Sequence, residues 1–195
     1  MSRMKPLPTD YNEKELKTTF DHFNKTLGFV PNSFLTMQRR PKIVTAFTQL
    51  NGAIFSKDGI VDLGFKRLIG HMSSFASGCQ YCKAHTAVSA SRHGISTEKL
   101  EAIYEYNTSP LYSDRERIAL DFALAAASVP NGVTDEMYEE LNSFWNEEEI
   151  VEILAVVAMF GFLNRWNDSM GTPLESEPKD LALKHLDGFT VGKHQ

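Results

Sequence analysis

Apolar residues return at three- and four-residue steps in segment after segment, the spacing of a helix face rather than the alternation of a strand. From Tyr11 to Leu27 they fall on Leu16, Phe20, Phe23 and Leu27; Gly28 ends that helix and Pro31 prevents its return. Asn32 or Ser33 is expected to cap a short helix through Gln38, and Pro41 to open the next one, running toward Ser56. Lys57, Asp58 and Gly59 make a turn. Leu63, Leu68, Met72 and Phe75 then mark a helix from Val61 to Phe75, interrupted at Ser77 and Gly78. Another runs from about Cys79 to Arg92 and stops at Gly94.

The second half continues in the same way. Ser96 is expected to cap a segment through Tyr106, and Ser113 with Glu116 forms a capping box for a helix ending near Ser128. Pro130, Asn131 and Gly132 turn the chain, Thr134 caps a helix to about Phe144, and Asn146 with Glu149 supplies a second capping box. The run from Ile150 to Leu163 is apolar nearly all round and is expected to be the central buried helix, about 20 residues to Met170. Beyond Gly171, Leu181, Leu183 and Leu186 mark one short helix. With no persuasive strand, repeat or linker, the expectation is an all-α single domain over 1–195 with about eight or nine helices. Residues 1–40 form an N-terminal helical arm in this reading, and 171–195 a C-terminal tail.

Composition narrows the function classes. The chain has 195 residues, 42% of them hydrophobic, enough for a core, and a net charge of −5 with no basic cluster. Nucleic acid is therefore not expected as a partner, because phosphate binding needs grouped Lys and Arg. No window approaches the roughly 20 apolar residues of a membrane span, and the opening MSRMKPLPTD lacks the apolar stretch of a secretory signal. A cytoplasmic protein without a membrane partner is expected. Its two cysteines, Cys79 and Cys82, stand three positions apart. In a reducing compartment such a pair reads as a redox couple or as half of a metal site.

The surrounding run is Ser77-Gly78-Cys79-Gln80-Tyr81-Cys82-Lys83-Ala84-His85. If Gly78 separates two helices, Cys79 lies in the first turn and Cys82 one turn on, where free amides and the helix dipole favour a thiolate. The spacing lets the two sulfurs form a disulfide. His85 follows on the same face and can exchange a proton with Cys82. Zinc would need four ligands, and only His85 with His71 or His93 is available to complete two thiolates. Asn164 and Asp168, four apart, could serve a network near the site, a subunit contact or a cap.

The cysteine pair with its Ser-Gly and following His, the upstream Leu27-Gly28-Phe29-Val30-Pro31-Asn32 and the segment Phe162-Leu163-Asn164-Arg165-Trp166-Asn167-Asp168 resemble the carboxymuconolactone decarboxylase superfamily. Within it the similarity is to the alkylhydroperoxidase D-like, peroxidase-related branch, from about Leu27 to Met170. The resemblance implies an all-helical homo-oligomer that needs no cofactor and reduces small hydroperoxides, a peroxiredoxin-like antioxidant activity. It implies that Cys82 attacks, that Cys79 resolves, and that a thiol, lipoyl or thioredoxin-like partner reduces the disulfide. The decarboxylase members lack the pair, so the superfamily's name does not give the activity.

Two departures stand out. The branch's histidine follows the second cysteine by four residues, and His85 follows Cys82 by three. The branch's relay glutamate stands twelve residues before the first cysteine, where this chain has Arg67. Arginine is no base at neutral pH, although its charge can favour a thiolate. His71, one turn after Arg67, is the expected relay partner. The missing glutamate leaves two alternatives: a thiol-disulfide exchange protein or redox sensor with little peroxidase activity, or a helical binding protein in which the motif is residual.

Overall fold

The structure is a computed structural model that describes residues 2–195. In chain order the α-helices are α1 (Glu13–Leu27), α2 (Asn32–Met37), α3 (Pro41–Ile54), α4 (Leu63–Ala76), α5 (Gln80–Arg92) and α6 (Thr97–Glu101). A 3-10 turn (Ala102–Glu105) follows, then α7 (Asp114–Ala127), α8 (Asp135–Phe144), α9 (Glu147–Met170) and α10 (Ser176–His185). The described residues contain no strand. The fold is all-α, as the periodicity predicts, and α2 and α6 are single short turns beside eight longer helices.

The centre is the α4–α5 hairpin, with α7 and α9 against α4 and with α10 and α9 against α5. Leu68, Ile69 and Met72 of α4, Ala84 and Ala87 of α5, and Ile153, Val156 and Phe160 of α9 form its core. Gly70 sets how closely α4 and α9 approach: a Cβ there would stand 2.3 Å from the Phe160 ring. The helix starts follow their expected chemistry. Asp62 accepts from the Phe65 amide at 2.8 Å, and both capping boxes, Ser113/Glu116 and Asn146/Glu149, form.

Several expectations are corrected. Neither Asn32 nor Ser33 caps α2; Pro31 holds that position, and the Asn32 side-chain amide donates instead to the Pro173 carbonyl at 3.0 Å. Ser96 caps α6, but the chain tightens into the 3-10 turn before Tyr106. Helix α9 is buried along one face only. Val151, Leu154 and Phe162 are 67%, 46% and 41% exposed, so a helix apolar on all sides finds partners on one side within this chain.

The arm and the tail are both packed down. Leu16 and Phe20 of α1 are buried in the core and α1 lies on α3. After α9, the Leu174 amide bonds the His194 carbonyl, and α10 lies along α5. Among the described residues no helix is long and apolar enough to cross a membrane.

Candidate active site

The chain breaks between α4 and α5 at Gly78, whose φ of 70° favours a residue without a side chain. Cys79 is then extended and is itself the N-cap of α5, not a residue of its first turn. Its Sγ accepts from the Cys82 backbone amide at 3.4 Å, in the place a capping oxygen usually takes. One cap geometry therefore sets the sulfur of Cys79 beside residue 82. Both cysteines are free and buried.

Around Cys82 the environment is dry. The Asn167 side-chain amide donates to its Sγ at 3.5 Å, and the Thr86 hydroxyl donates to its carbonyl at 2.8 Å. Burial pushes the Cys82 thiol well up, the Cys79 sulfur adds to the rise, and the Asn167 N–H opposes it. The expectation of a resting thiolate at the helix start is thus overturned for Cys82. Desolvation outweighs the helix terminus, and the backbone amide of residue 82 is spent on the Cys79 sulfur.

His85 stands one turn on from Cys82, on the same side, and its partner comes from a part of the chain that sequence reading left as tail. Nε2 lies 2.7 Å from Glu175 Oε2. Glu175 Oε1 accepts from the Tyr81 hydroxyl at 3.0 Å and from the Asn32 amide. The His85 ring stacks on Tyr81, with centroids 4.3 Å apart. Burial works to raise the Glu175 carboxyl, but the charge and hydrogen bond of His85 and the backbone amides outweigh it and hold it below the usual carboxylate range. A carboxylate on Nε2 holds a proton there, so in the neutral ring Nδ1 is the acceptor. No periodicity or motif marks Glu175; its neighbours Pro173 and Pro178 read only as helix breakers.

His71 is placed differently. It is fully enclosed in α4, with Nδ1 3.0 Å from Thr86 Oγ1 and Nε2 3.0 Å from the Tyr104 hydroxyl. The Thr86 hydroxyl already donates to backbone carbonyls, so it accepts from Nδ1–H, and Nε2 accepts from Tyr104. Both nitrogens are used, and burial holds the imidazole down to about 3. His71 reaches Cys82 only through Thr86 and the backbone.

A third histidine, absent from the sequence prediction, stands at Cys79. His194 is buried, and its Nδ1 lies 2.8 Å from the Thr172 carbonyl, which can only accept. Nδ1 therefore carries the proton. Nε2 is bare and unpartnered, 3.7 Å from Asp168 Oδ1. Donor atoms of Cys79, Asp168 and His194 all lie within 4.8 Å of one another. These three could approach a cation, but Cys82, His85, His71 and His93 lie outside the group, so the two thiols do not ligate together.

A cavity of about 550 Å³ opens onto this arrangement. Its wall includes Cys82, His85, Thr86, Asn167 and Arg67, and most of the remainder is apolar, with Phe29, Phe34, Phe47, Phe55 and Phe160. Cys79 is not part of that wall and sits behind Cys82, on the protein side.

Residues 41–126, from α3 through most of α7, match the carboxymuconolactone decarboxylase family. The debrominase Bmp8, solved as a cysteine-to-alanine variant with 2,3,4-tribromopyrrole, is 34% identical over 94% of this chain and 97% of its own, with a TM-score of 0.86. The chain belongs to the carboxymuconolactone decarboxylase family. A peroxidase-related protein of Ralstonia eutropha JMP134 with an alkylhydroperoxidase AhpD core is similar at 26% identity and a TM-score of 0.81, over 91% and 94% of the two chains. The protein YnjA of Escherichia coli (strain K12) is 30% identical over 97 residues, so this chain spans about half of that relative, 53%.

Within the family's peroxidase-related branch, the resemblance calls for a glutamate where Arg67 stands. In this chain the carboxylate on the motif histidine comes from Glu175, more than ninety residues past Cys82.

Proposed function

We propose that the protein is a cysteine-dependent oxidoreductase that reduces an organic hydroperoxide through Cys82 and Cys79. The observation that carries this reading is the order of the sulfurs: Cys82 in the cavity wall, Cys79 directly behind it. Cys82 attacks the terminal peroxide oxygen as the O–O bond breaks. It becomes a sulfenic acid, the alkoxide leaves, and the Cys82 proton, taken up by His85 Nδ1, ends on the alcohol. The Cys79 sulfur then displaces hydroxide from the sulfenic acid, which leaves as water with the proton of Cys79, and a disulfide forms. His194 Nε2 receives that proton in transit, and the resulting imidazolium faces Asp168.

Two equivalents of a small thiol, or one lipoyl or thioredoxin-like dithiol, reset the pair by exchange and leave as the disulfide. Burial of both sulfurs supports a small-molecule oxidant over the disulfide of a folded protein. Free thiols working as a redox pair also suit the cytoplasm. The exposed stripe of α9, beside Ile43 and Leu50 of α3, supports a homo-oligomer. Sedimentation of the wild type against Leu154→Glu tests that assembly.

The aromatic cavity and the likeness to Bmp8 favour a second reading, reductive dehalogenation of a halogenated aromatic compound. The same two thiols would supply two electrons, with C–H replacing C–halogen, halide released and the disulfide formed. One experiment separates the two. Reduced protein receives one equivalent of cumene hydroperoxide or of a bromopyrrole, and thiols, bromide and protein mass are followed. The main reading expects loss of two thiols with peroxide, a disulfide in wild type, and a trapped sulfenic acid on Cys82 in Cys79→Ser. Peroxide consumption undiminished in Cys82→Ser would overturn it.

A further inference from the structure

We infer that the cavity binds an organic anion, its apolar body among the aromatic walls and its acidic group on Arg67. The inference rests on the reading that Cys82 does its chemistry in this cavity, and it supplies the substrate class: a hydroperoxide or haloaromatic compound that also carries a carboxylate or an acidic hydroxyl.

Arg67 is the cation in the wall without a counter-charge. Its guanidinium lies flat on Phe55, 3.4 Å from the ring centroid, and its Nε is buried with no hydrogen-bond partner among the described residues. The other strong cation of the wall, Arg92, is matched: it pairs with Glu177 at 2.6 Å and caps the Leu27 carbonyl at 3.1 Å. The buried Lys66 of the same helix as Arg67 is matched as well, by Glu152 at 2.7 Å. No Asp or Glu lines the cavity, although acids outnumber basic residues in the chain by 25 to 20.

Burying the Nε of a guanidinium without a partner is costly, and the half-buried fork of Arg67 matches a planar carboxylate with two parallel hydrogen bonds. Burial lowers Arg67 to about 10, which still leaves it charged at neutral pH. Stacking on Phe55 holds the fork in one plane and leaves its other edge for a ligand. At about 550 Å³ the space suits a molecule of one or two rings. The rival role for Arg67 is electrostatic support of the Cys82 thiolate, which would act on every substrate alike.

The test is binding to Cys82→Ala protein, which cannot react, with naphthalene-2-carboxylate and the neutral 2-naphthylmethanol as probes in calorimetry. The carboxylate is expected to bind about tenfold or more tighter. Arg67→Met should bring it to the level of the alcohol while leaving the alcohol unchanged, and Arg67→Lys should recover part of the difference. Equal affinities of acid and alcohol for the parent would overturn the inference without recourse to any Arg67 variant. So would an acid affinity that survives Arg67→Met. Turnover of a neutral hydroperoxide with no preference for acids would sink this inference and leave the proposed chemistry standing. Acid binding at Arg67 in a protein whose thiols ignore peroxide and haloaromatics would do the reverse.

Discussion

Glu175 holds Nε2 of His85 at 2.7 Å across a gap of 90 residues in sequence. The carboxylate sets the tautomer of the ring, and Tyr81 and the Asn32 amide set the carboxylate. Glu175→Gln keeps the shape and removes the charge. It should lower the rate of peroxide-driven thiol loss by roughly ten- to a hundredfold, within the range general-base groups contribute. The melting temperature should change little. Stopped-flow kinetics over a pH series checks this, and a rate and profile equal to wild type would remove Glu175 from the mechanism.

In the proposed cycle His194 serves the other sulfur, so its loss should separate the two steps. In His194→Gln the first reaction of Cys82 with peroxide should keep its rate. Closure of the disulfide should slow by roughly tenfold or more, and the sulfenic acid should persist long enough for dimedone to capture it. Time-resolved mass analysis reads both species. Simultaneous slowing of both steps would point to a general loosening of the C-terminal segment instead.

His71 gives a stability prediction with a definite sign. Its imidazole is held to about 3, against 6.5 in an unfolded chain. Between those values the unfolded state binds one more proton than the folded state, so stability falls as pH drops below about 6.5, by up to about 1.4 kcal/mol per unit. His194, also lowered chiefly by burial, acts in the same direction. Denaturant titrations at several pH values should show a shallower slope for His71→Asn than for wild type. An unchanged slope would mean that His71 is protonated in the fold.

Helix approach is tested at Gly70. A methyl there meets the Phe160 ring at 2.3 Å, and overpacking of this kind costs roughly 1–3 kcal/mol. The gain of about 1 kcal/mol from removing a helical glycine offsets only part of that. Gly70→Ala should therefore melt earlier than wild type, and Gly70→Ala with Phe160→Leu should recover some of the loss.

The fold was legible because local chemistry marks helix ends: Pro41, the Ser113 and Asn146 boxes and Gly28 each act within one turn of where they stand. Cys79, Cys82 and His85 were legible for the same reason, being a pattern within seven residues. Glu175, Asp168 and His194 meet the site through tertiary packing, and Glu175, one of two acids between Pro173 and Pro178, carries no periodicity that would reveal it. His71 shows the converse. It lies one turn from Arg67, as the spacing demands, yet α4 turns it toward Thr86 and Tyr104 and away from the cavity. The half-buried state of α9 was hidden because apolar residues all round a helix do not say which side is covered by the same chain.

The segment beyond residue 170 is synthesised after the cysteines and His85. While a ribosome is still adding it, the two thiols and His85 already exist in the growing polypeptide without Glu175 or His194 to serve them. Glu175 and His194 join the cysteines only when that segment docks along α5, so in the proposed chemistry the site is incomplete until that docking has taken place.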